Sequence, residues 1–305
     1  MRFVPAWSPL LLLFACKAQI SGAPVPDVDV DAAPMIDAPP LIIDTPPLTI
    51  DAPPPLGAWS MPQKIDVASS GSVEDDVTLS SNTLELFFAI NTAKGKDLFY
   101  SSRASTTSPW TLAAPVSFNS SSQSDETPRL SADDKTLYFA SGRGGNGTLD
   151  IYKTTRPAAG STAWTLPVPL DNTVNTTASN EKWFMLCTAD HYLMVQGTSL
   201  VEGFIGGAGA VPAAPLNATG SQTGTFVTPD CLTIYFASSR SGQTRLFHSQ
   251  RAQVTDPWDD PSEVLDFATL GGNQEDPWIA PDQRTFAFAS DAVAAGNKDL
   301  YLSTR

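Results

Sequence analysis

The chain has 305 residues, 42% of them hydrophobic and 16% charged, with a formal net charge of −14 and a pI near 4.4. That length admits one large all-β domain or two ordinary domains. The acidic balance excludes DNA, RNA and anionic membrane surfaces as electrostatic partners, because these select basic patches.

At the N-terminus, Arg2 and the apolar stretch Phe3 to Ala15 read as a signal peptide over residues 1–15. A membrane-spanning helix needs about 20 apolar residues, and this stretch is shorter and carries Pro5 and Pro9. The tetrad Leu13-Phe14-Ala15-Cys16 resembles the lipobox of bacterial lipoproteins. The resemblance implies that Cys16 is lipidated and becomes the mature N-terminus, anchored by acyl chains at roughly 0.8 kcal/mol per buried methylene. A separate fate for Cys16 also accounts for an odd count of three cysteines, the others being Cys187 and Cys231.

Residues 16–57 then form a stalk. Between Ser21 and Gly57 there are ten prolines, six aspartates and no aromatic residue, a composition that cannot bury a core and predicts a disordered linker. The unit Ile36-Asp37-Ala38-Pro39-Pro40 recurs from Ile43 and from Ile50. Paired prolines forbid a helix interior and favour an extended spacer of about 3.1 Å per residue.

From Trp59 onward the chain repeats itself. Leu86, Leu137, Leu193, Ile234 and Phe286 occupy equivalent places in five copies, at intervals suited to solenoids or propellers. The clearest copy runs Asp125-Glu126-Thr127-Pro128-Arg129-Leu130, then Thr136-Leu137-Tyr138-Phe139-Ala140-Ser141, then Asp150-Ile151-Tyr152. Short runs rich in aromatic and branched residues, bounded by Asp, Ser, Gly and Asn, predict strands. Trp110, Trp164 and Trp258 introduce a weaker fourth strand in their copies. Four antiparallel strands per copy make a propeller blade. The last copy stops after three strands at Arg305, and the unmatched segment Ala58 to Val67 resembles Pro109 to Val116, so it is expected to complete the last blade. The fold predicted for residues 58–305 is therefore an all-β, single β-propeller of five four-stranded blades. A sixth blade around Phe204 to Gly220 is the alternative.

Thr228-Pro229-Asp230, Ala280-Pro281-Asp282 and Ser131-Ala132-Asp133, each leading into an aromatic strand, resemble the WD40-like (PD40) repeat of TolB-type propellers. TolB propellers have six blades, so their partners do not transfer to a chain with five copies.

In a meander blade the acids Glu74, Asp75, Asp125, Glu126, Glu181 and Glu275 gather at one mouth of the channel, with Arg143 and Arg240 further out. They read either as a charged funnel for a cation, sugar or peptide, or as inter-blade ion pairs and turn caps that recur with the repeat. Asp133, Asp230 and Asp282 read as turn residues. Cys187, His191, Cys231 and His248 lack paired zinc-ligand spacing, so no metal and no cofactor is expected, and whether the two cysteines are bonded stays open. Two histidines and no G-x-S-x-G elbow disfavour a serine hydrolase. The expectation is a monomeric, exported lipoprotein of the cell envelope, touching the membrane through its lipid alone, whose propeller binds a protein, peptide or glycan. The alternative is a carbohydrate-active enzyme using paired carboxylates.

Overall fold

The structure, a computed structural model, describes residues 55–67 and 73–305. The signal peptide, Cys16 and the stalk before Pro55 lie outside the described residues.

Twenty strands follow in chain order. The first, β1 (Gln63–Lys64), stands alone. Blade one is β2 (Glu74–Leu79), β3 (Glu85–Thr92), β4 (Gly95–Ser102) and β5 (Ala114–Pro115). Blade two is β6 (Asp125–Leu130), β7 (Thr136–Ser141), β8 (Asp150–Thr155) and β9 (Val168–Pro169). Blade three is β10 (Glu181–Leu186), β11 (His191–Gln196), β12 (Ser199–Phe204) and β13 (Val211–Pro212). Blade four is β14 (Gln222–Val227), β15 (Thr233–Ser238), β16 (Arg245–Gln250) and β17 (Ser262–Glu263). Blade five is β18 (Gln274–Ile279), β19 (Thr285–Ala294) and β20 (Asn297–Thr304), with β1 as its outer strand. These are five antiparallel blades of a β-propeller. The segment considered for a sixth blade is instead the loop after β12 and the outer strand β13 of blade three.

Each blade is apolar on both faces, which explains the unbroken apolar runs. Successive residues of β3 alternate between two cores: Leu86, Phe88 and Ile90 face one, Phe87 and Ala89 the next. Strand β7 repeats the division with Leu137 and Phe139 against Tyr138 and Ala140. Burying such side chains contributes roughly 1.5–3 kcal/mol each.

Four blades share a clamp at their rim. Arg103, Arg156, Arg251 and Arg305, each just past the third strand, stack on Trp110, Trp164, Trp258 and Trp59 at 4.5, 4.7, 4.1 and 4.1 Å. Their Nε atoms donate to the carbonyls of Thr83, Asp134, Cys231 and Gln283. Those four residues close the tight turns between first and second strands, and all adopt φ between 58° and 60°. Trp59 reaches its place from the N-terminal segment, so the clamp of blade five joins the two ends of the described propeller. Blade three has no such clamp. In its place Cys187, after β10, is disulfide-bonded to Cys231 in the turn of blade four. This settles the pairing that sequence spacing left open.

Candidate functional site

Every inner strand carries a bulge at its third residue, where the register with the second strand shifts. The five bulge residues, Asp76, Thr127, Trp183, Gly224 and Asp276, have φ between 48° and 59°. Bulges re-aim side chains, and here they aim Asp76 and Asp276 at the axis. At Gly224 a Cβ would meet the Asp276 amide nitrogen at 2.5 Å, so glycine is required there by contact as well as by φ.

Around these residues lies the upper mouth of the channel. The Lys96 ammonium donates to Asp75 Oδ2 at 2.9 Å and Asp76 Oδ2 at 2.7 Å. The Lys298 ammonium donates to Asp75 Oδ2 at 2.9 Å and Glu275 Oε2 at 2.7 Å. Lys182 donates to Glu126 Oε2 at 2.9 Å, and Trp183 Nε1 to Asp76 Oδ1 at 3.1 Å. The Asp76 amide donates to Asp276 Oδ2 at 3.2 Å. Burial, then the neighbouring Asp75 and Asp76, hold the Asp276 carboxyl well above the usual carboxylate range. Burial acts the same way on Asp75 but is outweighed by the hydrogen bond with Asp276 and by Lys96 and Lys298, which hold its carboxyl well below that range. Oxygens of Asp75, Asp76 and Asp276 lie within 4.8 Å of one another, yet the lysines on them supply the positive charge a cation would bring.

Beneath this layer Arg129 crosses the axis. It donates to the Val77 carbonyl of blade one and the Thr225 carbonyl of blade four, both at 2.9 Å, and is 1% exposed. On the other side of Arg129, the far ends of the inner strands and the turns that follow them enclose an open pit of about 280 Å³. Leu79, Leu130, Met185, Phe226 and Trp278, one from each blade, contribute to its lining. Asp133, Asp230 and Asp282 stand exposed on the turns of this face. Each uses one carboxylate oxygen to accept from the backbone two residues on, at Lys135, Leu232 and Arg284.

The acids nominated from sequence divide into two sets. Asp75, Glu126 and Glu275, the second residues of their strands, come together at the upper mouth. Glu74, Asp125 and Glu181, the first residues, each have partners beside their own blade. Asp125 accepts from Arg143 Nη2 at 2.7 Å. Glu181 accepts from Thr176 at 2.7 Å and Gln196 at 3.0 Å, while burial raises its carboxyl. Glu74, buried beside Asp299, has its carboxyl pushed up to about 7, by burial first and then by that neighbour. Asp299 in turn pairs with Lys64 at 2.6 Å. Arg143 lies over Phe139 and Tyr152, and Arg240 over Phe236 and Phe247. Arg240 meets Gln222 at 3.4 Å where Arg143 meets Asp125. Sequence reasoning missed Asp76, Asp276, Lys96, Lys298 and Arg129. A signal existed in the paired strings Lys96-Asp97-Leu98 and Lys298-Asp299-Leu300, which blades two, three and four lack.

No family model matches the chain, and no curated protein matches it. Solved structures do share its fold. An α-L-arabinofuranosidase from Podospora anserina, in complex with cellotriose, aligns with a TM-score of 0.56 at 12% identity over 81% of this chain and 96% of its own. A GH62 hydrolase in complex with xylotriose aligns at 0.55 and 9%, over 82% and 98%. TolB from Acinetobacter baumannii aligns at 0.47 and 12%, over 77% of this chain and 55% of its own. The likeness is one of fold alone.

Proposed function

We propose that the chain is a non-catalytic, lipid-anchored module of the cell envelope that holds a protein partner in the axial pit of its lower face. The observation that carries this reading is the pit itself, open, apolar, and lined from all five blades. Ligand pockets run from about 300 to 1,000 Å³, so about 280 Å³ suits a side chain or two of a partner. The exposed Asp133, Asp230 and Asp282 on the same face give it a negative rim. The occupant that matches both features is a peptide segment with one large apolar residue flanked by lysine or arginine. A glycan, which presents hydroxyls throughout, fits an apolar pit less well.

Export and anchoring draw on the signal-like residues 1–15, on the lipobox-like tetrad ending at Cys16, and on the disulfide, a bond of oxidising compartments. The PD40-like turns, on this reading, form the wall and acidic rim of the pit. The upper-mouth acids Asp75, Glu126 and Glu275, with Glu74, Asp125, Glu181, Arg143 and Arg240 around them, hold blades in register. The carbohydrate-active alternative would use Asp75 and Asp276, whose carboxyls are driven apart as an acid and base require. Against it stands their burial: Asp276 is 0% exposed, and a substrate would have to displace Lys96, Lys298 and Trp183 to reach them.

Selection from a displayed random-peptide library tests the reading. Enriched sequences should carry an apolar residue between basic ones, lose binding to Ala132→Trp, which fills the pit, and bind Asp230→Asn/Asp282→Asn more weakly with less salt dependence. Peptides indifferent to Ala132→Trp, or release of reducing sugar from xylo-oligosaccharides, would overturn it.

A further inference from the structure

The turn from β10 to β11 is unlike its four counterparts, and it brings together metal-binding side chains. Cys187 and His191 lie at its two ends, and Cys231 reaches it from blade four through the disulfide. A ring nitrogen of His191 and both sulfurs lie within 4.8 Å of one another. The three residues are 7%, 3% and 0% exposed in the order Cys187, His191, Cys231. His191 Nε2 faces Glu202 Oε2 at 3.3 Å, and Arg251 Nη1 holds the same oxygen at 3.1 Å. Burial opposes charge on Glu202, but His191 and Arg251 outweigh it and its carboxyl is lowered. The imidazole is fixed further by stacking on Phe204, centroids 4.5 Å apart. Its other nitrogen, Nδ1, is buried with no hydrogen-bond partner.

A histidine that binds a metal through one nitrogen usually donates the other N–H to a carboxylate, which fixes the ring and raises its basicity. His191 has that partner in Glu202 and a spare, buried nitrogen. Sulfur in a disulfide is a poor donor, whereas two thiolates at this spacing are strong ones. With Zn–S near 2.3 Å and Zn–N near 2.0–2.1 Å, ligand atoms in a tetrahedron lie roughly 3.4–3.8 Å apart, a separation that small side-chain movements reach from the present one. His248 packs on Tyr235 and takes no part.

We propose that Cys187, Cys231 and His191 form a zinc site that the disulfide keeps closed and that a dithiol reductant opens. Reduction adds two electrons and two protons to the Cys187–Cys231 bond, giving two thiols while the dithiol becomes its own disulfide. Zinc then displaces the two thiol protons and is held by two thiolates and the neutral imidazole, with water as the fourth ligand. Glu202 accepts the remaining imidazole N–H. A small-molecule disulfide reverses the sequence: it takes the two electrons and two protons to become two thiols, the Cys187–Cys231 bond re-forms and the metal is expelled. In either state blades three and four stay cross-linked, by sulfur or by zinc, at the one blade that lacks the arginine and tryptophan clamp.

The test is cobalt(II), a coloured stand-in for zinc, added to the full chain in detergent before and after reduction. Reduced protein should bind one equivalent with sulfur-to-cobalt charge-transfer and tetrahedral ligand-field absorption, and zinc should bleach both. Oxidised protein should show neither. Glu202→Gln should keep the spectrum but bind at least about tenfold more weakly, within the 10–100-fold range for such partners. His191→Ala should lose the tetrahedral bands. No charge-transfer band in the reduced chain, folded or not, would overturn the proposal, as would binding undiminished in both His191→Ala and Glu202→Gln.

Discussion

Around the rim, four arginines stack on four tryptophans in one geometry, each bonded to the carbonyl of a turn residue with positive φ. Along the axis, the five equivalent bulge positions carry Asp76, Thr127, Trp183, Gly224 and Asp276, and all that recurs is the backbone. Side chains that repeat from blade to blade solve a problem each blade has, namely closing its turn and docking its outer strand. Side chains that break the repeat answer to their one position around the ring. Functional residues are therefore better sought where blades differ, at the axis and in blade three, than in the repeated arginines and tryptophans of the outer rim.

The largest effect should come from the rim. Arg156, whose side chain is 0% exposed, is held by both oxygens of Glu85 across the seam between blades one and two, each at 2.7 Å. Removing one member of a buried pair strands the other and costs about 3–5 kcal/mol. Chemical denaturation of Glu85→Ala should show a loss of that size. Next comes the blade that lacks a clamp. Replacing Cys187 and Cys231 with alanine, or reducing the bond without metal, should cost about 2–4 kcal/mol while leaving strand content by circular dichroism intact. A negligible loss would mean that blade three is held by packing alone.

At the axis, two neighbouring aspartates should respond differently. The Asp276 carboxyl is held well above the usual carboxylate range, so replacing it with the neutral, similarly sized amide in Asp276→Asn should change stability by less than about 1 kcal/mol. Asp75→Asn leaves Lys96 and Lys298 short of a shared counter-charge and should cost more, about 1–3 kcal/mol. Equal losses in the two variants would show that both acids are ionised. The smallest effect concerns Glu74. Its carboxyl ionises near 4.5 in the unfolded chain and at about 7 in the folded one. Between those values the folded protein binds the extra proton, so stability falls as pH rises through the window and the full penalty is present above it. Glu74→Gln should therefore melt close to the parent at pH 4.5 and a few degrees above it at pH 8, the two diverging between those ionisation points and not above them.

The blade count was legible because an apolar strand such as Leu137 to Ala140 must recur once per blade, and tryptophans mark four of the five outer strands. The place of Trp59 was legible for the same reason, since Trp59-Ser60 meets Ser303 as Trp110-Thr111 meets Ser101. The site was less so. The acid-rich strings at Glu74, Asp125, Glu181 and Glu275 fixed which end of each strand is charged. They could not say that a bulge at the third residue turns Asp76 and Asp276 inward while first residues stay at the blade seams. Arg129 gives no signal, because whether an arginine crosses the axis depends on the backbone of blades it does not belong to. The pit is invisible for the same reason: Phe226 and Trp278 read as ordinary core residues.

The central claim is that partners meet the lower face. Photo-crosslinking amino acids placed at Ser81 and Ala132 on the pit, and at Ser121 and Asn146 on loops beside the upper mouth, test it in intact cells. Adducts from Ser81 and Ala132 alone, abolished when Gln283→Trp fills the pit from the blade opposite, are the predicted result. Adducts from Ser121 and Asn146 with none from the pit would contradict it.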